Sequence, residues 1–329
     1  MSIHARLSRG LAVGLVAAGL ALGASLAKAQ ETIRVALGDV VSEETLAFLI
    51  ALERAKERGL SSELTSFAEE ELAIQAIVGG QMDVGIGTPY SVIQQTKVPL
   101  RALFQISSLV FFPVVSNEYK SWKDLNGEPF TFHARGTATE AFGDVMAARE
   151  GIQFGERSYV PGSENRVIAL LNGTIKATIL DLANKNRALE EGGDKFHVLP
   201  ALTEKVSDEI LFANQEWINS HQEAATILVE ELTKLWREMN ADPSIVEKER
   251  AARNLLADQP EAIEEVEDYY AEGVEAGLWN PEGASEAIAK GDFAFYVDAG
   301  QMEGPADSLK VEDFWDLAPA ETAKKNLGG

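Results

Sequence analysis

Apolar residues recur along this chain with two periods, one typical of strands and one typical of helices. Between residues 32 and 37 every second position is apolar, which predicts a strand. The segment Glu70–Val78 carries apolar residues on one helical face, and 82–87 is a short apolar run that predicts the next strand. Strands that alternate with helices in this way predict an α/β protein with mixed, mostly parallel sheets flanked by helices.

One pattern occurs twice, at residues 76–89 and again at 169–182. Each copy contains the end of an apolar helix, a stop that includes glycine, a short strand, and a polar residue where the strand ends. The polar residue is Thr88 in the first copy and Asp181 in the second. Because ligands of open α/β sheets bind beyond the carboxyl ends of strands, the repeat predicts two similar halves with a ligand-binding cleft between them.

The repeat also predicts the domain boundaries. We expect a first lobe formed by 30–112 together with 213–320, a second lobe formed by 113–212, and a loose tail at 321–329. The first lobe is discontinuous because the mainly helical C-terminal third needs an apolar surface to cover. Two crossings between the lobes are predicted near 111–116 and 210–214, where they would form a hinge.

Several helix starts carry capping signals. Ser42 precedes two acidic residues, which suit the positive end of a helix dipole, and is predicted to cap the first helix. Thr88 is predicted as an N-cap because Pro89 follows it in the first helical turn. Two further pairs have the spacing of capping boxes, namely Thr137 with Glu140 and Ser220 with Glu223. The acidic run at 261–268 is interpreted as a solvated helix face.

Residues 1–29 have the features of a cleaved export signal. Arg6 and Arg9 precede an apolar stretch at 11–22, and residues 27–29 fit the small-residue cleavage rule. We therefore expect removal after Ala29 and a mature protein in the periplasm. The chain has no cysteine, which excludes disulfides, thiol nucleophiles and a lipid-modified N-terminal cysteine.

The composition narrows the possible partners and reactions. A formal net charge of −23 repels nucleic acid and anionic lipid, so we expect no nucleic-acid partner. Any anionic ligand must be held by local donors against this field. The four histidines lack metal-ligand spacing, and a P-loop, a dinucleotide fingerprint and a G-x-S-x-G elbow are missing. We expect no cofactor and no enzyme activity. A secreted α/β enzyme, which a substitution of His133 would test, is the third hypothesis.

Four stretches in order resemble a known family of binding proteins. They read EELAIQAIVGGQMDVGIG, WKDLNG, ARGTATEAFG and VPGSENRVIALLNGTIKATILD. Their order and spacing are similar to those of substrate-binding proteins of ABC importers for nitrate, sulfonates, taurine and thiamine-pyrimidine precursors. The resemblance covers residues 31–235. It implies the two-lobed periplasmic-binding-protein fold with two crossovers, to which this chain adds C-terminal helices.

The resemblance also implies ligand contacts at four places. They are the loop after the first strand (Gly38, Asp39, Val40), the end of the first repeat copy (Thr88, Pro89, Tyr90), a helix start in the second lobe (Arg135, Gly136, Thr137, Ala138, Thr139) and the end of the second copy (Asp181, Leu182). The helix start is the best anion site, since its N–H groups and dipole favour negative charge. A capping box would consume the same amides, and acidic Asp39 and Asp181 argue against a bare anion such as nitrate.

The expected function is capture of a small polar or anionic organic ligand, such as a sulfonate or carboxylate, between the lobes. A monomer would then deliver it to an ABC permease in the inner membrane. Two alternatives stay open. In the first alternative the ligand is a pyrimidine-type heterocycle. In the second the protein is a periplasmic sensor receptor that passes its ligand state to a membrane partner.

Overall fold

The computed structural model describes residues 31–328 apart from 39, 68, 97, 203 and 204. The predicted export signal and the predicted contact Asp39 lie outside the described residues. The described part of the chain contains ten strands. In chain order these are β1 (Glu31–Leu37), β2 (Leu60–Ser66), β3 (Val84–Gly87), β4 (Leu100–Gln105), β5 (Phe112–Ser116), β6 (Phe130–Phe132), β7 (Arg157–Tyr159), β8 (Ala177–Leu180), β9 (Phe196–Val198) and β10 (Ile210–Asn214).

Helices flank these strands and make up most of the C-terminal third. The α-helices are α1 (Leu46–Glu57), α2 (Glu70–Val78), α3 (Tyr90–Thr96), α4 (Ala138–Glu150), α5 (Ser163–Leu171), α6 (Leu182–Gly192), α7 (Gln215–Ser220), α8 (Gln222–Ala241), α9 (Ser244–Arg253), α10 (Pro260–Ala276), α11 (Glu286–Asp298) and α12 (Ala318–Asn326). The predicted helix at Glu70–Val78 has the predicted bounds, and α5 is the helix that leads into the second copy of the repeat.

The two sheets share one strand arrangement. The first runs β2-β1-β3-β10-β4 and the second runs β7-β6-β8-β5-β9. In the first sheet β1 is parallel to β2 and β3, and β10 is antiparallel to β3 and β4. In the second sheet β6 is parallel to β7 and β8, and β5 is antiparallel to β8 and β9. This confirms the predicted α/β fold with two mixed, mostly parallel sheets.

The sequence repeat corresponds to one structural unit in each sheet. Helix α2 leads into β3 in the first copy, and α5 leads into β8 in the second. Gly80 and Gly173 end these helices with φ values of 69° and 72°, which strain any residue that has a Cβ. The amide of the next residue donates to a carbonyl in the last helical turn, at 2.8 Å in the first copy and 2.9 Å in the second. Two identical helix stops therefore aim two short strands in equivalent ways.

The two crossings between the sheets run side by side. Residues 106–111 join β4 to β5, and 199–209 join β9 to β10. The Leu109 amide donates to the Val206 carbonyl at 2.8 Å, and Ser108 pairs with Ser207 in an antiparallel bridge. The crossings predicted near 111–116 and 210–214 therefore lie at 106–111 and 199–209 instead, and the hinge itself stays a prediction. Most of the residues at 111–116 and 210–214 belong to β5 and β10, where ladder hydrogen bonds restrict backbone rotation.

The C-terminal segment covers the first sheet. Helix α12 packs against α8, and the Ala102 amide in β4 donates to the Phe314 carbonyl at 2.8 Å. The loose tail predicted at 321–329 is wrong for 321–326, because these residues belong to α12 and Ala323 is fully buried. The first sheet combines β1–β4 with β10, as a discontinuous first lobe requires. The lobe boundaries themselves stay a prediction.

The predicted cap of α1 is wrong. The helix begins at Leu46 rather than directly after Ser42. The Thr45 hydroxyl accepts the Ser42 amide at 3.0 Å and lies 3.1 Å from the Ser42 carbonyl, which holds this segment in a turn. Local side-chain bonds of this kind compete with helix formation.

Both predicted capping boxes are also wrong. At α4 the Thr137 hydroxyl donates backwards to the Ala134 carbonyl at 2.8 Å and makes no capping bond. Helix α8 begins at Gln222, and the Ser220 hydroxyl donates to the carbonyl of Glu216 in the preceding helix at 2.8 Å. In both cases the residue spacing was present, but no amide of the first helical turn donates to the hydroxyl.

Candidate functional site

A cleft of about 860 Å³ lies between the two sheets. Residues that follow β1 and β3 line it from the first lobe, and residues that follow β6 and β8 line it from the second. Parts of both crossings line it as well. Thr88 and Asp181, the polar ends of the two repeat copies, therefore face one shared space.

In the first lobe, Glu70 joins the ends of β1 and β3. Its carboxylate accepts the amide of Thr88. A Cβ on Gly38 would lie 2.7 Å from the Glu70 Cα, and a Cβ on Gly87 would lie 2.7 Å from its Oε1. Glycine at both strand ends therefore allows the start of α2 to approach the cleft.

Thr88 has a different role from the predicted N-cap. Helix α3 begins at Tyr90, and the Thr88 hydroxyl donates to the Asp208 carbonyl in the second crossing at 2.9 Å. Thr88 thus ties the end of β3 to the second crossing, and its remaining surface lines the cleft. Val40, which is 56% exposed, lines the cleft mouth together with Gly38.

In the second lobe, the start of α4 lines the cleft through Thr137, Ala138 and Thr139. No side chain caps this helix start, so the competition expected between a capping box and a ligand does not arise. The Thr139 hydroxyl accepts the amide of His133 at 3.2 Å. The end of β6 and the start of α4 are thereby held together.

His133 faces the cleft as a neutral imidazole. Burial, and secondarily the Arg166 guanidinium, lower its pKa from 6.5 to about 4. Its Nδ1 accepts the amide of Gly162 at 3.2 Å, which places the ring proton on Nε2. A neutral ring of this kind offers one N–H donor and no positive charge.

Asp181 ends β8 and caps α6. Its Oδ1 accepts the Asn184 backbone amide at 2.8 Å, and the Asn184 side-chain amide donates to Oδ1 at 3.2 Å and to Oδ2 at 3.0 Å, so part of the acceptor capacity is used by the protein. Carboxylate oxygens accept several hydrogen bonds, and Asp181 and Leu182 both line the cleft. The structural role as a cap and a role in ligand contact are therefore compatible.

Aromatic side chains line the cleft from the first lobe. Tyr269 of α10 and Trp279 meet edge to face with ring centroids 5.7 Å apart, and Tyr270 stacks on Trp279 at 4.6 Å. Phe48 and Trp236 line the same cavity. Sequence reasoning missed this aromatic wall, since the acidic run before Tyr269 indicated a solvated helix. The adjacent tyrosines at the end of that run were the available signal.

Several predicted contacts lie away from the cleft. Tyr90 is buried in the first lobe, where its hydroxyl donates to Asp292 and its ring packs on Tyr296 at 5.2 Å. Pro89 precedes it and is buried as well. Arg135 is exposed and stacks on the Tyr159 ring at 4.5 Å. The predicted contacts of Tyr90, Pro89 and Arg135 are corrected accordingly, since core packing and a surface ring hold these side chains elsewhere.

Gly136 belongs to the rim between the lobes. Its amide donates to Glu140 at 2.8 Å, and a Cβ on it would lie 3.8 Å from the Ser91 hydroxyl of the first lobe. Beside it, Gln301 donates to the Thr137 carbonyl at 3.0 Å. A second rim contact joins Asn186 of α6 to Glu272 of α10 at 2.7 Å. The described lobes therefore touch on two sides of the cleft.

The cleft is lined by many more acidic than basic side chains. Among the described residues, its acidic side chains are Glu43, Glu44, Glu70, Glu164, Asp181, Glu190, Glu191, Asp208, Glu209, Glu264, Asp268 and Glu272. Two arginines line it. Arg187 pairs with Glu191 at 2.8 Å, and the buried Arg166 donates to Ser163 at 2.6 Å. Walls of one sign focus the field, so this cleft attracts cations and repels anions.

Neither a membrane-spanning helix nor a metal-binding cluster occurs among the described residues. None of the helices there combines the length and apolarity needed to cross a membrane. Over the same residues, no group of three or more histidine, aspartate or glutamate side chains has the geometry to hold a metal ion.

Family membership follows from a family model that matches residues 47–245, which is more than half of the chain. That model describes NMT1/THI5-like proteins. The chain belongs to the NMT1/THI5-like family. A comparison with curated proteins finds no match. The family match spans the cleft-lining ends of β3, β6 and β8.

Solved structures share the fold of this family member. A periplasmic nitrate-binding protein from Synechocystis is 12% identical, with a TM-score of 0.68 over 92% of this chain and 90% of that one. A putative periplasmic sulfonate-binding protein of an ABC transporter from Methylobacillus flagellatus is 17% identical, with a TM-score of 0.63 over 91% and 96%. The ligand-binding component of an ABC-type import system from Staphylococcus aureus, solved with zinc bound, is 13% identical, with a TM-score of 0.67 over 89% and 99%.

These likenesses confirm the resemblance and the periplasmic-binding-protein fold. At this level of identity they carry the fold and leave the ligand open. One of these neighbours is described as a component of an ABC-type import system and another as a putative binding protein of an ABC transporter.

Proposed function

We propose that this protein is the exported substrate-binding component of an ABC importer. It captures one small polar organic solute between its lobes, closes around it, and presents the closed form to a permease in the inner membrane. The solute shifts an equilibrium between open and closed forms by its differential affinity for the two. Export by the signal at 1–29 and a periplasmic location are part of this proposal.

One observation carries the proposal, which is the convergence of both halves of the repeat on one cleft. The equivalent strands β3 and β8 bring Thr88 and Asp181 to the same cavity from opposite sheets. Two adjacent crossings, at 106–111 and 199–209, connect the sheets, and such paired connections permit hinge closure. The binding roles of the structurally similar proteins support the same interpretation.

The ligand classes expected from the sequence differ in how well they suit this cleft. A sulfonate or carboxylate would find the uncapped start of α4, which is worth about half a positive charge. The twelve acidic side chains around it oppose a purely anionic ligand. A neutral heterocycle with N–H groups meets no such opposition. We therefore place an anionic group, where the ligand has one, at Thr137–Thr139 and expect other polar groups on the same molecule.

Trapping the ligand tests the proposal. Because the chain has no cysteine, Asn186→Cys combined with Glu272→Cys gives a pair that a short thiol-specific cross-linker joins across the rim. Native mass spectrometry of freshly purified protein identifies the bound small molecule, and cross-linking before dialysis should retain it. A matched pair within the second lobe, Glu118→Cys with Lys176→Cys, should lose it on dialysis.

Small-angle scattering provides the second measurement. The identified molecule should compact the wild-type protein when it is added back after unfolding and refolding. The proposal is wrong if no small molecule co-purifies and none of methanesulfonate, nitrate, 4-aminopyrimidine or benzylamine changes the radius of gyration. Equal retention in the two cross-linked pairs would also count against binding between the lobes.

A further inference from the structure

Tyr269 is the one buried tyrosine near the cleft whose hydroxyl bonds to none of the described residues. The side chain is 8% exposed and lines the cavity. Other buried tyrosines have partners: Tyr90 donates to Asp292, Tyr270 donates to the Glu43 carbonyl at 2.9 Å, and Tyr296 donates to a backbone carbonyl in the second crossing. Buried tyrosine hydroxyls usually find a hydrogen-bond partner, so this hydroxyl is set to bond a molecule in the cleft.

The surroundings of this hydroxyl specify the charge of its partner. Burial comes first among the causes that raise the Tyr269 pKa well above 10, and the carboxylates of Glu44, Asp181 and Glu43 add to it. These carboxylates come from both lobes and line the same cavity. The neutral phenol oxygen and these carboxylates therefore supply several hydrogen-bond acceptors to one part of the cleft. Groups that donate several hydrogen bonds and carry positive charge satisfy such an environment.

The aromatic wall adds a second preference. The ring of Tyr269 meets Trp279 edge to face, and Phe48 and Trp236 line the cavity nearby. Phe48, Trp236 and Trp279 are 1%, 0% and 3% exposed, whereas Tyr269 is 8% exposed, so its surface is the part of this wall that can pack against the carbon skeleton of an organic ligand. A bare metal ion would lack ligands here, because no group of three or more histidine, aspartate or glutamate side chains among the described residues has the geometry to hold one. The cavity of about 860 Å³ also has room for an organic molecule.

We propose that the ligand carries a protonated nitrogen, and that this nitrogen binds at the Tyr269 hydroxyl between Glu43, Glu44 and Asp181. The ligand class is therefore a small organic amine or amidine, with or without an anionic group at its other end. This inference rests on the proposed function, since it specifies the ligand of the same cleft. Tyr269 becomes a specificity-determining residue of that site.

Matched probe molecules test the charge requirement. Isothermal titration calorimetry of ligand-stripped protein compares benzylamine with benzyl alcohol and benzoate, and 2-aminoethanesulfonate with ethanesulfonate. We expect at least one amine to bind, and its partner without the amine to bind at least tenfold more weakly. Calcium and zinc chlorides are titrated in parallel, and tighter binding of a metal ion than of every amine overturns the inference.

Single-atom variants test the position of the nitrogen. Tyr269→Phe removes the hydroxyl and keeps the ring, and should weaken the bound amine about tenfold. Glu44→Gln removes one of the neighbouring charges and should weaken it by a similar factor. Tyr119→Phe and Glu156→Gln make the same chemical changes outside the cleft and should leave binding unchanged. Circular dichroism and unfolding midpoints verify that each variant is folded.

The outcomes separate this inference from the proposed function. If benzoate, ethanesulfonate or benzyl alcohol binds as well as the matching amine, the proposed function stands and the cationic ligand is refuted. Amine binding that is unaffected by both Tyr269→Phe and Glu44→Gln refutes the position. If no probe of either sign binds, the inference fails, and the proposed function is decided separately by whether a small molecule co-purifies with the protein.

Discussion

Replacing Asp292 by asparagine tests how the second crossing is anchored to the first lobe. Asp292 is fully buried in α11. Its carboxylate accepts the amide and the hydroxyl of Ser207, both at 2.7 Å, and the hydroxyl of Tyr90 at 2.5 Å. Ser207 also accepts a hydrogen bond at 3.0 Å from Gln105, the last residue of β4, which the first crossing follows. One buried carboxylate thus anchors the second crossing and, through Ser207, the end of β4.

The pH-dependent change in the free energy of unfolding follows from the pKa of this carboxylate. Burial raises it from 3.8 to about 6, although the hydrogen bonds from Tyr90 and Ser207 oppose the rise. Each pKa unit corresponds to about 1.4 kcal/mol, so the shift is worth about 3 kcal/mol. Because the folded protein holds this proton more tightly than the unfolded chain does, its stabilising effect is complete below pH 3.8 and is lost as the pH rises through 6. About 2 kcal/mol of the loss falls between pH 4 and pH 7.

Asp292→Asn keeps the shape and the acceptor oxygen but does not ionise. We expect the free energy of unfolding of the variant, relative to wild type, to rise by about 2 kcal/mol from pH 4 to pH 7 and to stay level above pH 7. Urea unfolding followed by tryptophan fluorescence at pH 4, 5, 6, 7 and 8 measures this difference. The comparison with wild type cancels the effects of the other titrating groups to first order.

Asp307→Asn is the control, because it removes one charge from an exposed position. Its difference from wild type should change little with pH. The reasoning is refuted if the Asp292→Asn difference has the opposite sign, so that wild type gains on the variant as the pH rises. That result would mean that the hydrogen bonds outweigh the cost of burial and that the pKa lies below 3.8. A difference independent of pH would equally contradict it.

Three further predictions concern the cleft and its rim. Gly273→Ala should destabilise the fold by about 1–3 kcal/mol in urea unfolding, because the added Cβ would lie 2.4 Å from the Trp279 ring. The control Gly291→Ala adds its Cβ to open space in a helix and should stabilise the fold by about 0.5–1 kcal/mol. His133 should titrate near pH 4 by nuclear magnetic resonance, with stability lost as the pH falls from 6.5 towards 4; a midpoint near 6.5 would contradict its burial. Gln301→Ala removes a bond across the rim, so the ligand-free protein should show a larger radius of gyration in scattering, and an unchanged radius would show that this contact does not hold the lobes together.

The positions of the two crossings between the sheets could not be predicted from the local pattern of apolar and polar residues. The sequence from 106 to 116 is mostly apolar in both the crossing and the strand, so it does not mark where β5 begins. The crossings are defined by pairing of Leu109 with Val206 and of Ser108 with Ser207. Such pairing joins residues far apart in the chain, and local periodicity carries no record of it.

The capping errors have a related cause. A capping box is a spacing rule, and the spacing was present at Thr137 and at Ser220. Each hydroxyl instead donates to a carbonyl supplied by the preceding segment, Ala134 in one case and Glu216 in the other. The direction in which the chain enters a helix decides whether the hydroxyl can reach the amides of the first turn. That direction depends on tertiary packing.

The sequence by itself determined the alternation of strands and helices, the repeated helix stop at Gly80 and Gly173, and the polar residues at the ends of β3 and β8. These features depend on contacts between near neighbours and on backbone conformations that glycine alone adopts without strain. Tertiary structure alone decided that Tyr269 and Asp181 line the same cleft and that Asp292 is buried against the second crossing. Those placements bring together residues far apart in the chain, and their burial and charge follow from the packing of the whole fold.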